Sequence, residues 1–126
     1  MQDEAFQRWC GEFSDVQIAS LGNLRSLILE NTQELDETKN EGKWLNNCVF
    51  YSYKSKMVYG IGPKGKTKVT FHMLPYYMSS QLQEKHGPTL APFLTGKSCI
   101  AFEDFTKLPI TNLVDILKTG IPDFLK

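Results

Sequence analysis

Gly60-Ile61-Gly62-Pro63-Lys64-Gly65-Lys66-Thr67 runs directly into Lys68-Val69-Thr70-Phe71-His72-Met73, and the reading of the fold depends on how the second stretch continues the first. The first stretch matches the phosphate-loop pattern GxxxxGKS/T in full. A working phosphate loop delivers its Lys and hydroxyl to the N-terminus of a helix, where unbonded amides and the helix dipole hold the phosphates. Here Thr67, Val69, Phe71 and Met73 alternate with Lys66, Lys68, Thr70 and His72, which puts the apolar side chains on one face of a strand. The branched side chains of Thr67, Val69 and Thr70 also favour an extended backbone over a helix. The stretch therefore predicts two adjacent antiparallel strands joined by Gly60 to Gly65, with Lys66 pointing to solvent. The alternative is a nucleotide hydrolase using Lys66, Thr67 and Asp104, with Asp104 following the apolar run from Cys99 to Phe102. That fold needs parallel crossovers of about a dozen residues or more each, and the chain between Thr67 and Cys99 is too short to supply them.

Outward from this hairpin, short aromatic and β-branched runs predict further strands. Cys48 to Tyr53 reads as a strand, Lys54 to Lys56 as a polar turn, Met57 to Tyr59 as a resumed strand and Cys99 to Phe102 as another. On the N-terminal side, Phe6, Trp9, Cys10 and Phe13 recur at helical spacing, weakened by Gly11. Ile18, Leu21, Leu24, Leu27, Ile28 and Asn31 follow on one helical stripe, with Ser14 or Ser20 able to cap its start. Beyond Met73, Pro75 ends the strand and Met78 to Lys85 forms a short helix that breaks at His86-Gly87-Pro88. Leu113, Val114, Ile116 and Leu117 mark a last helix that Gly120 should terminate. The fold class expected is α+β: N-terminal helices, a small, mainly antiparallel sheet, a connecting helix, a strand and a C-terminal helix, in a single domain over residues 1–126.

Composition narrows the function classes. The 126 residues carry 14 acidic and 14 basic side chains, so no net field draws the chain to nucleic acid. No apolar run approaches the ~20 residues that span a bilayer, and Met1 to Cys10 lacks the basic-then-apolar pattern of an export signal. Cys10, Cys48 and Cys99 fit neither a disulfide framework nor a metal knuckle, and read as reduced thiols in a cytoplasmic protein.

No catalytic constellation stands out. Cys48 and Cys99 lie inside apolar strand runs, where a thiol is usually inert packing rather than half of a Cys–His nucleophile. His72 on a polar strand face and His86 in a loop read as separate surface histidines. The carboxylates Glu30, Glu34, Asp36, Glu37 and Glu41 crowd a stretch, Asn31 to Gly42 for the most part, that reads as a solvated turn and polar helix end. The aromatics exceed what one strand face can bury, so Trp44, Phe50, Tyr51 and Tyr53 are candidates to line a ligand groove. Tyr76 and Tyr77 are candidates for a protein-interaction surface or a homodimer contact.

Leu24-Arg25-Ser26-Leu27-Ile28, Glu34-Leu35-Asp36-Glu37, Lys43-Trp44, Val49-Phe50-Tyr51 and Gly96-Lys97-Ser98-Cys99-Ile100-Ala101-Phe102 with Leu108-Pro109 resemble the YdhG-like family of small bacterial proteins, a domain of unknown function. The resemblance runs from about Leu24 to Lys118. It implies a helix pair, a short antiparallel sheet, a helix and strand, and a C-terminal helix, with Gly60 to Lys66 between two strands. One branch is connected with frataxin-like iron handling, so the resemblance implies a non-enzymatic binding or carrier protein for which iron is the leading named ligand. Glu34, Asp36, Glu37 and Glu41 would then be the oxygen donors, since iron accepts carboxylates. Trp44-Leu45-Asn46-Asn47-Cys48 lacks the proline that many members carry after this tryptophan.

Overall fold

The computed structural model describes residues 3–32, 34–39 and 47–124, the side chain of residue 123 apart. Helices α1 (Asp3–Cys10) and α2 (Asp15–Asn31) lead into strands β1 (Asp36–Lys39), β2 (Val49–Tyr53), β3 (Lys56–Lys64) and β4 (Lys68–Met73). Helices α3 (Leu74–Tyr77) and α4 (Ser80–Leu90), strand β5 (Cys99–Phe102) and helix α5 (Ile110–Phe124) complete an α+β fold. The sheet is antiparallel throughout, and its strands lie in chain order from β1 to β5. No helix among the described residues is long and apolar enough to cross a membrane.

The alternation read from Lys68 to Met73 produces the layers. Val69, Phe71 and Met73 share the inner face of the sheet with Tyr51, Tyr59, Ile61, Ile100 and Phe102, and all are buried. Leu21, Leu24 and Ile28 of α2 and Leu113, Ile116 and Leu117 of α5 close over them. Ser14 is the residue that caps α2: its hydroxyl accepts from the Gln17 amide while the Gln17 side chain accepts from the Ser14 amide. Ser20, inside the helix, instead donates to the Glu103 carbonyl. Helix α1 packs on the domain through Phe6, Trp9 and Cys10, and Trp9 Nε1 donates to Asn47 across 3.0 Å.

Several element boundaries differ from expectation, each for a physical reason. Gly60, Gly62 and Pro63 lie inside β3, and only Gly65 to Thr67 turn. The glycines are there for close approach: a Cβ on Gly62 would sit 2.6 Å from Cys48 Sγ, and one on Gly60 would sit 3.1 Å from the Phe50 ring. Pro63 lies past Ile61, the last residue of β3 that pairs with β2, so its missing amide costs that ladder nothing. The turn itself needs Gly65, at φ +64°. Asp36 to Lys39, expected to be turn and helix end, form edge strand β1 on β2. Helix α4 runs through Gly87 and Pro88 without the expected break, and His86 within it is buried.

Helix α5 likewise passes Gly120 and Pro122. Gly120 is a packing position, because a Cβ there would meet Pro75 at 2.8 Å and the Tyr59 hydroxyl at 2.9 Å. Gly120→Ala should therefore lower the urea midpoint, with overpacking costing about 1–3 kcal/mol. Ala gains up to about 1 kcal/mol of helix propensity over Gly, so a midpoint that rose would mean Pro75 and Tyr59 yield.

Candidate functional site

The aromatic residues proposed for one groove separate across the sheet. Successive strand residues face opposite ways, so Tyr51 points into the core while Phe50 lies on the outer face over Gly60. Trp44 falls outside the described residues. Tyr53, on the inner side at the end of β2, does line a cleft of about 330 Å³. Its other walls are Asn31 and Thr32 at the end of α2, and Leu117, Lys118, Ile121 and Pro122 on α5. The cleft lies where α2 ends at Asn31 and β2 ends at Tyr53, beside the last turns of α5.

The chemistry of this cleft is specific. Tyr53, Leu117, Ile121 and Pro122 give it apolar walls. Asn31 and Thr32 donate to the carbonyls of Leu27 and Ile28, at 2.8 and 2.6 Å, which leaves the Thr32 oxygen as an acceptor and Asn31 with one N–H and its carbonyl oxygen. Charge comes from Lys118 in the lining and from Lys54, whose ammonium stands 5.4 Å from the centre of the Tyr53 ring. Among the described residues, no acidic side chain lines the cleft. It is therefore an apolar slot with a cationic rim. The larger hollow, about 860 Å³, is a broad groove near the start of α2 that mixes Lys68 and Lys107 with Glu103 and Asp104.

The proposed iron donors among the described residues do not come together. Asp36 and Glu37 alternate on β1 and face opposite sides of the sheet. Glu34 and Asp36 are exposed, and Glu41 lies outside the described residues. Glu37, read as solvated, is 7 % exposed and fully engaged. Its Oε2 accepts from Arg25 Nε at 2.8 Å and from the Tyr51 hydroxyl at 2.6 Å, and its Oε1 accepts from Arg25 Nη2 at 2.9 Å. This bidentate bond raises the Arg25 pKa further, while burial, followed by the Glu37 hydrogen bond, raises that of Tyr51. No group of three or more His, Cys, Asp or Glu among the described residues is placed to hold a metal ion. Among the described residues, Glu34, Asp36 and Glu37 do not form a carboxylate iron site.

The nucleotide-site residues are likewise apart from the architecture such chemistry needs. Lys66 is exposed, as expected, in a turn that enters a strand rather than a helix. Asp104 caps a single 3-10 turn by accepting from the Thr106 amide at 3.0 Å. Tyr76 is buried, whereas Tyr77 and Met78 are 42 % and 64 % exposed beside Gly96 and Lys97.

Two pairings were not visible in the sequence. His86 is 2 % exposed and bridges α4 to α5. The Asn112 amide nitrogen stands 2.8 Å from its Nδ1, and its Nε2 donates to Asp115 at 2.7 Å. His72 and Cys99 are cross-strand partners on the outer face, with Nδ1 and Sγ 2.8 Å apart. Alternation alone places both outward, since Phe71, Met73, Ile100 and Phe102 face in, but only the strand register makes them neighbours. Comparison with known proteins finds no family model, no curated protein and no solved structure that matches this chain.

Proposed function

We propose that this protein is a non-enzymatic binding or carrier module of the YdhG-like type, and that it holds a small amphipathic carboxylate in the cleft beneath Tyr53. The observation that carries the reading is the cleft's lining: apolar walls from Tyr53, Leu117, Ile121 and Pro122, with Lys118 the one charged side chain among the described lining residues. Binding sites for small molecules are concave, mostly apolar and fixed by a few polar groups, and they start at about 300 Å³. At about 330 Å³ the cleft suits a short apolar body whose carboxylate pairs with Lys118. Iron is not part of this reading, because Asp36 and Glu37, two of the acids that would bind it, face opposite sides of the sheet.

Calorimetric titration with octanoate, and with octanol as the uncharged control, tests the proposal. Octanoate should bind saturably and more tightly than octanol. Lys118→Gln should weaken octanoate about five- to tenfold, in keeping with a partly solvated charged hydrogen bond, and leave octanol unchanged. Ile121→Trp, which fills the slot, should abolish both. Absence of saturation at millimolar octanoate, or equal affinity in both variants, would overturn the reading.

A further inference from the structure

The outer face of the sheet carries one register row in which Phe50, Gly60, His72 and Cys99 stand side by side on β2 to β5. The Phe50 ring covers Gly60, and His72 comes next. Cys99 ends the row on β5, which also meets the backbone of Leu94 and Thr95. Its thiol lies 2.8 Å from His72 Nδ1 and 3.6 Å from the Ser98 hydroxyl. None of the described residues is hydrogen-bonded to the other ring nitrogen of His72.

We propose that Cys99 is a modification site, a thiol that exchanges with small disulfides of the glutathione type, with His72 taking up its proton. The inference is independent of the Tyr53 cleft, which lies on the opposite side of the sheet. Thiol–disulfide exchange runs through the thiolate, so an adjacent base decides which of several cysteines reacts. Burial lowers the His72 pKa, leaving the imidazole unprotonated and able to accept. In the step, the Cys99 S–H proton moves to Nδ1 and the sulfur attacks one sulfur of the disulfide. That S–S bond breaks as the new one forms, and the departing thiolate recovers the proton from His72. One disulfide is consumed and one thiol released, so the small disulfide is the oxidant.

The other cysteines supply an internal contrast. Cys10 is buried in α1, and burial pushes its thiol up to about 11. Cys48 is buried over Gly62 with its thiol raised for the same reason, and Cys99 is the least buried of the three.

Incubating the folded chain with oxidised glutathione, then mapping the adduct by peptide mass spectrometry, tests the proposal. One glutathione per chain is expected, on Cys99, with Cys10 and Cys48 reacting only after urea is added. Iodoacetamide alkylation of Cys99 near neutral pH should slow about tenfold or more in His72→Asn and in His72→Gln, in line with loss of a general base. Continued protection of Cys10 and Cys48 reports that each variant is folded. Equal modification of the three cysteines in folded protein, or an alkylation rate unchanged in both His72 variants, would overturn it.

Discussion

Glu37→Gln is expected to destabilise the protein by about 3–5 kcal/mol, because it leaves the Arg25 charge in the protein interior without its carboxylate. The Arg25 side chain is 15 % exposed, and the other carboxylate shown on it, Asp3, is 86 % exposed. Asp3 therefore cannot replace Glu37, since an exposed pair contributes only ~0–1 kcal/mol. Arg25 also stands 4.7 Å over the Phe6 ring, so α1, α2 and β1 meet at one guanidinium, and β2 joins them through the Tyr51 bond to Glu37. Domains of this size are stable by about 5–15 kcal/mol, so the loss is a large share of the total. Urea denaturation of wild type and Glu37→Gln measures it directly. Tyr51→Phe removes one hydrogen bond and should cost about 1–2 kcal/mol. A Glu37→Gln loss below about 1 kcal/mol would show that water reaches Arg25 and that the pair behaves as a surface ion pair.

His86→Ala is expected to cost about 3–4 kcal/mol, the sum of a cavity between α4 and α5 and of polar groups left without their partner. The Asn112 amide and the Asp115 carboxylate both lose their imidazole contact. Asp115 keeps Lys85 at 3.1 Å, which softens the effect on that side. Lys85 first, and His86 second, hold the Asp115 carboxyl below its usual pKa. Its folded value is depressed, so its contribution is present at neutral pH and is lost as pH falls below the ordinary Asp value of about 3.9 and through the folded one. Thermal unfolding of His86→Ala and Asp115→Asn, alone and combined, separates packing from pairing. If the two losses add fully, the hydrogen bond carries no coupling and the cost is packing alone.

Local pattern in the sequence determined a good deal about this protein. The alternation from Lys66 to Met73 excluded the phosphate-binding helix, because the side chains of a strand must alternate to bury one face. The stripe from Ile18 to Ile28 and the run Cys99 to Phe102 were legible for the same reason. These periodicities are set by backbone geometry and need no knowledge of the partner. What tertiary structure alone decided were the elements and sites whose signal lies in another segment. Charged β1 has no apolar pattern, and it becomes a strand because β2 offers a ladder and Arg25 with Tyr51 accommodate Glu37. Helix α4 continues past Gly87 and Pro88, with His86 bonded to α5. Gly60, Gly62 and Gly120 look like punctuation in the sequence, yet each leaves room for a side chain from a distant element: Phe50, Cys48, and Pro75 with Tyr59. The same holds for the pairing of His72 with Cys99 and for the cleft at Tyr53. Which residues meet there is fixed by strand register and by where helices stop, and neither is written in the residues on the site itself.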